Sequence, residues 1–242
     1  MKRTVQAPLL VLTGLGLLHA ALFTDLYLRY VKEGLRPLLI ASGVLLLLLG
    51  LAGAATAPED ARDHGHTHGH DHCVAPRIAW LLFLPALSLL LHAPPALGAY
   101  TASRANDKAV TEEDRFDPLP GTSPVPMTLT DFTARVRQDH RRDIRNRSVR
   151  MTGFVTPAGQ GGGWYLTRII FTCCAADSQS VKVRMHGTPA LPANTWVTVT
   201  GTWHPEGALG TSSAAAALDV HRIQRVAQPV NAYTDDLPLT PS

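Results

Sequence analysis

The sequence predicts a membrane α-helical N-terminal region of three helices, followed by an all-β C-terminal domain. The β domain is expected to be a small five-stranded barrel of the oligonucleotide/oligosaccharide-binding (OB) type. The apolar residues are concentrated in the first hundred positions, where three runs of 20 or more residues lack Asp, Glu, Lys and Arg. Beyond residue 147, short segments alternate apolar and polar residues and are separated by turn-rich stretches, as is typical of strands.

The three apolar runs, residues 5–24, 37–57 and 78–100, are each long enough to cross a membrane. About 20 helical residues span the ~30 Å hydrocarbon layer, and in lipid a helix satisfies its own backbone amides. The third run contains three prolines, which favour a kinked or shallow span. We therefore expect a multi-pass protein of the cell membrane.

The orientation of the C-terminal domain is not decided by positive charges, since four Lys and Arg residues flank one side of the spans and five flank the other. The first run also resembles a signal peptide, but it lacks a small residue three positions before each candidate cleavage point. A short Met-Lys-Arg start usually stays in the cytoplasm. Three spans would then place the C-terminal domain outside it.

The most specific local pattern is a run of alternating histidines in the polar loop 58–77: His64, His66, His68, His70 and His72. Near neutral pH an imidazole offers a lone pair to Zn²⁺, Ni²⁺ or Cu²⁺, and alternate side chains of an extended chain share one face. The pattern predicts a site for zinc or another divalent transition metal. The alternative is a low-complexity polar loop in which metal binding is incidental.

The rest of the chain divides into a polar linker (101–126), the OB-like β domain (127–230) and a tail (231–242). A short helix is expected near Phe132 and Val136, with Thr128 or Thr130 as its N-cap. Five strands follow, at residues 148–155, 164–172, 181–187, 195–203 and 217–226.

The stretch FTCCAAD, which contains Cys173 and Cys174 and ends at Asp177, follows the second of these strands. Successive strand residues face opposite sides, so both thiols reach one metal ion only if a turn or bulge intervenes. Metal ligation with Asp177, His186 or His204 nearby is one interpretation. A vicinal disulfide acting as a redox switch, a single reactive thiol, and one core cysteine with a bystander are the others.

Seven arginines lie between residues 135 and 150 and are interrupted only by Asp139 and Asp143 among acidic residues. They could form a solvated face, contact anionic lipid headgroups or bind phosphates. Only Trp164, Tyr165 and Phe171 are available for base stacking on the expected second and third strands. A nucleic-acid partner is therefore not expected.

The segments MTGFV at 151–155, LTR at 166–168 and TCCAAD at 172–177 stand behind apolar spans joined by a His-rich loop. In these features the chain resembles the YcgQ-like bacterial membrane proteins. The resemblance implies a subunit that acts with a separate multi-span permease, in settings that suggest zinc supply. It also implies that Cys173, Cys174 and Asp177 form the site.

No P-loop, GxSxG or HExxH motif occurs, and we expect no enzymatic activity. The expected function is that of a membrane-anchored accessory subunit of a transport system, which handles a divalent metal such as zinc through the His-rich loop. Its partners would be a permease, membrane lipids and further copies of itself, because three spans are few for a monomeric transporter. The alternatives are a membrane-tethered thiol redox protein and an OB-type binding module without metal.

Overall fold

The computed structural model describes residues 3–55, 97–105, 113, 115–159 and 162–238. The chain divides into two compact units, Met1–Tyr27 with Glu33–Ala96 and Leu28–Lys32 with Leu97–Ser242. The predicted His-rich loop and nearly all of the predicted third span lie outside the described residues.

The described part of the first unit contains the α-helices α1 (Arg3–Leu22) and α2 (Arg36–Ala55), and a 3₁₀ helix, Glu33–Leu35, directly precedes α2. The two α-helices approach closely at glycines. A Cβ atom added to Gly14 would lie 2.8 Å from the carbonyl oxygen of Gly43, and one added to Gly50 would lie 2.7 Å from Val11 Cγ2. Small residues at these positions let the two backbones pack together.

The three-span prediction is not supported. Among the described residues, one helix is long and apolar enough to cross a membrane, Glu33–Ala55, with a mean hydropathy of 2.5. The apolar part of α1 that the structure describes, Gln6–Leu22, falls among the shorter apolar helices of 10–17 residues. Leucines such as Leu45 and Leu48 are more than half exposed on α2.

The described residues of the second unit form two α-helices, α3 (Ala99–Arg104) and α4 (Leu129–Gln138), and six strands. The strands are β1 (Val125–Pro126), β2 (Val149–Pro157), β3 (Trp164–Ile170), β4 (Gln179–His186), β5 (Trp196–Trp203) and β6 (Ala217–Arg225). The side chain of Thr128 accepts a hydrogen bond from the Asp131 N–H and caps α4, as one of the two predicted caps. All five predicted strands are present, and the short β1 is additional.

The sheet runs β1-β2-β3-β4-β6-β5, and β2 also pairs with β5. Five strands are therefore linked in a closed circuit of pairings, in which β4 and β6 are parallel and the other four pairings are antiparallel. β1 pairs parallel to β2 at its edge. Gly153 allows β2 to approach β3, because a Cβ atom there would lie 2.6 Å from the Thr167 carbonyl oxygen.

The core of this unit is built mainly from residues of the strands and of α4. Its largest fully buried side chains include Trp164, Phe132, Leu166 and Leu218. β2 is buried on both faces from Met151 to Thr156, so its outward positions do not show the polar alternation expected of a half-exposed strand.

Arginines of the predicted basic cluster hold the preceding segment, 115–126, against the sheet domain. Arg135 is 6% exposed, forms an ion pair with Asp131 at 2.8 Å and donates to the Asp117 carbonyl oxygen. Arg141 donates to the Phe116 carbonyl oxygen, and Arg147 donates to those of Pro120 and Thr122. These three arginines stabilise tertiary structure, which the sequence interpretation did not include.

Candidate functional site

The turn between β3 and β4 carries the two vicinal cysteines. A 3₁₀ helix, Ala175–Asp177, begins directly after Cys174, which serves as its N-cap. The Asp177 carboxylate accepts hydrogen bonds from the backbone N–H groups of Thr172 (3.1 Å), Cys173 (2.7 Å) and Cys174 (3.3 Å). One carboxylate thus fixes the backbone of both cysteines.

This turn brings the two thiols to one side of the chain. Cys173 and Cys174 are free thiols with their Sγ atoms 3.7 Å apart, the first exposed and the second half-buried. One ligand atom from each of Cys173, Cys174 and Asp177 lies within 4.8 Å of the others. The three predicted site residues therefore meet, because the turn removes the strand alternation that would have separated the thiols.

The electrostatics of the turn favour protonated Cys173 when no ion is bound. The hydrogen bond to Asp177, followed by that to Cys174, raises the pKa of Cys173 to about 11. Desolvation raises the pKa of Asp177, but hydrogen bonds from Cys173, Thr172 and Cys174 outweigh it, and the net shift is downward. Roughly one Cys173 side chain in 10⁴ is thiolate at pH 7.

The segment Leu28–Lys32, in the same compact unit, pairs with the cysteine turn. The Lys32 N–H donates to the Cys173 carbonyl oxygen (3.0 Å), the Ala175 N–H donates to that of Tyr30 (2.7 Å), and Val31 and Cys174 form an isolated bridge. Sequence reasoning missed this contact. No local pattern signals it, since the two segments are far apart in the chain.

One interpretation of the cysteine stretch placed His186 or His204 beside it. Among the described residues they instead meet each other, with ring centroids 4.0 Å apart and planes 11° from parallel. One ligand atom from each of His186, His204 and Glu206 lies within 4.8 Å of the others. Burial lowers the pKa of His186, and the neighbouring His204 and Arg184 lower it further.

The five loop histidines, His64, His66, His68, His70 and His72, lie outside the described residues. Their predicted metal site stays a prediction.

Arg168, which belongs to the LTR segment, holds the C-terminal tail against β3. Its guanidinium donates to the carbonyl oxygens of Asn231 (3.0 Å) and Thr234 (3.1 Å). Burial lowers its pKa to about 10, while Asp235 and Asp236 oppose that shift. Arg168 of the LTR segment therefore has a structural role.

The cysteine turn and the histidine pair both lie on the six-stranded sheet domain. A DUF1980 C-terminal domain is found at residues 131–234, which includes both groups. This match is compatible with the resemblance to YcgQ-like membrane proteins. No curated protein and no solved structure matches the chain.

Proposed function

We propose that this chain is a membrane-anchored accessory protein of a transport system, whose β domain binds a divalent transition metal, zinc above all, at Cys173, Cys174 and Asp177. The observation that carries the proposal is the convergence of two thiols and a carboxylate within 4.8 Å on one turn. Sulfur and carboxylate ligands suit Zn²⁺, which takes four ligands in a tetrahedron. Water or a group from a partner would supply the fourth.

The backbone around the ligands is fixed before any ion arrives, which favours binding. Asp177 accepts three amide hydrogen bonds, and the pairing of Leu28–Lys32 restrains the opposite side of the turn. Carboxylate oxygens have further lone pairs, so Asp177 can orient the turn and still contact an ion. Metal binding would displace the Cys173 proton, because the ion stabilises the thiolate far more than Asp177 stabilises the thiol.

A thiol redox function is the second candidate, since the Sγ atoms are adjacent at 3.7 Å. Closing a disulfide would require them to approach to about 2.05 Å. The raised pKa of Cys173 counts against it, because redox-active cysteines usually have a lowered pKa that makes them thiolates. We therefore place the metal function first.

The architecture proposed for this function is an OB-like five-stranded barrel on a membrane anchor. The closed circuit of pairings, with its parallel β4–β6 pair, supports the barrel. The apolar helix Glu33–Ala55 supports the anchor. The His-rich loop would capture the ion, and a separate permease would receive it, with the β domain outside the cytoplasm.

The test is the zinc content of the full-length chain, purified in detergent without a histidine tag. The starting protein carries Asn at the five loop histidines, so that the loop does not obscure the domain site. We expect about one zinc ion per chain to be lost from the Cys173→Ser/Cys174→Ser variant and kept in the matched Cys73→Ser variant. Equal zinc content in both variants would refute the cysteine site, and a disulfide detected in wild-type chain from cells would favour the redox function.

A further inference from the structure

Three strand ends converge on a second group of metal-ligating side chains. His186 is the last residue of β4, His204 follows β5 directly, and Asp219 lies near the start of β6. β6 pairs with both neighbours here, since Asp219 is in register with His186 on one side and with Thr202 on the other. The topology of the sheet therefore places these residues together.

Asp219 sets the tautomer of His204. The Nδ1 atom of His204 lies 2.8 Å from a carboxylate oxygen of Asp219. The backbone N–H of His204 donates to the Ala217 carbonyl oxygen at 2.9 Å. A neutral His204 with its proton on Nδ1 has its lone pair on Nε2. A carboxylate bonded to the second ring nitrogen is the usual support of a metal-ligating histidine.

His186 has an unused nitrogen in the same group. Its Nε2 atom is buried and has no hydrogen-bond partner within the described part of the chain. Buried polar atoms are nearly always partnered, and an ion is one way of satisfying such an atom. The parallel stacking of the two imidazoles at 4.0 Å brings this nitrogen beside His204.

Glu206 completes the group from a turn with little freedom. Its N–H donates to the His204 carbonyl oxygen, and its own carbonyl oxygen accepts from the Ala215 N–H, both at 2.9 Å. The next residue, Gly207, has φ +79°, and a Cβ atom there would lie 2.1 Å from the Ser213 carbonyl oxygen. Only glycine fits this position, so the turn that carries Glu206 is restricted to one backbone conformation.

We propose that His186, His204 and Glu206 bind a divalent transition-metal ion of the zinc class, with Asp219 positioning His204. Two imidazoles and one carboxylate leave at least one coordination position for water or an exchangeable ligand. Such a site would release its ion, or expose it to a second molecule, more readily than a closed four-ligand site. The proposal goes beyond the cysteine turn, since it uses none of its residues.

The test is Co²⁺ titration of the full-length chain in detergent, followed by the visible d–d absorption. The starting protein carries Asn at the five loop histidines and Cys173→Ser/Cys174→Ser. We expect one Co²⁺ per chain, lost on Glu206→Gln or His186→Asn and unchanged in the control His221→Asn, which alters an exposed histidine on β6. Asp219→Asn should weaken binding by about 10–100-fold without a change in the midpoint of thermal unfolding.

The conservative Glu206→Gln variant keeps the experiment decisive, because Glu206 is exposed and its amide form should fold. Absence of Co²⁺ binding in the starting protein, or an unchanged affinity in Glu206→Gln, would overturn the proposal. Failure of the cysteine site is recognised separately. That site gives a sulfur-to-cobalt charge-transfer band in chains that retain Cys173 and Cys174 and carry His186→Asn.

Discussion

The hydrogen bond between Cys173 and Asp177 makes a quantitative prediction about thiol reactivity. It is the largest cause of the upward pKa shift of Cys173, from 9.0 to about 11. Asp177→Asn removes the carboxylate charge but keeps an oxygen that can accept the backbone N–H groups. The pKa of Cys173 should then fall towards 9.0, and the thiolate fraction at a fixed pH below 9 should rise.

The magnitude follows from the size of the shift. At pH 8 a full return to the ordinary pKa would raise the thiolate fraction roughly 100-fold. The intrinsic nucleophilicity of the thiolate falls with its pKa, with a Brønsted coefficient of about 0.4–0.5. This effect lowers the gain in rate by roughly a factor of ten. The alkylation rate should therefore rise several-fold and by no more than about tenfold, since the Cys174 hydrogen bond remains.

The assay is the rate of iodoacetamide alkylation of Cys173 against pH, resolved by peptide mass spectrometry in a metal-free Cys73→Ser chain. Asp143→Asn serves as a control carboxylate outside the turn. At the pH values where the alkylation rate of Cys173 in Asp177→Asn begins to level, the rate in the wild-type chain should still rise with pH. Superimposable profiles for the two chains would refute this account of the turn.

Three further predictions concern the packing and the anchor. Gly153→Ala should destabilise the β domain by about 1–3 kcal/mol in denaturant unfolding, because the added Cβ atom would lie 2.6 Å from the Thr167 carbonyl oxygen of β3. The control Gly121→Ala should be nearly neutral, since no atom lies within 4 Å of a Cβ atom there. Arg135→Met should cost about 1.5–3 kcal/mol in the same assay through its lost hydrogen bonds to a carboxylate and a carbonyl, and the exposed Arg137→Met should cost little. Leu45→Arg, near the middle of α2, should move chain from the membrane to the soluble fraction, since a central Arg costs about 2.5–3.5 kcal/mol on insertion scales.

Each of these predictions has an outcome that would contradict it. Equal unfolding midpoints for the two glycine variants would mean that β2 and β3 can separate without loss. Equal midpoints for the two arginine variants would mean that the hydrogen bonds and the ion pair of Arg135 contribute nothing to stability. Full retention of Leu45→Arg in the membrane after alkaline carbonate extraction would mean that another segment anchors the chain.

Local sequence patterns were sufficient for the strands and for part of the candidate site. Alternating apolar residues predicted the five main strands, because side chains of a strand alternate between its faces. Cys173, Cys174 and Asp177 were found together because the short connection between β3 and β4 brings neighbours in sequence into contact. The helix α4 and its Thr128 cap were predicted for the same reason, since capping depends on residues three apart.

The sequence by itself thus determined the five main strands and the helix α4 of the β domain, and it placed the three residues of the cysteine site near one another in the chain. Only the tertiary structure brought His186 and His204 to Glu206, paired Leu28–Lys32 with the cysteine turn and placed Arg135 in the interior. The physical reason is that these features depend on strand pairing and packing between distant segments, which no local periodicity records.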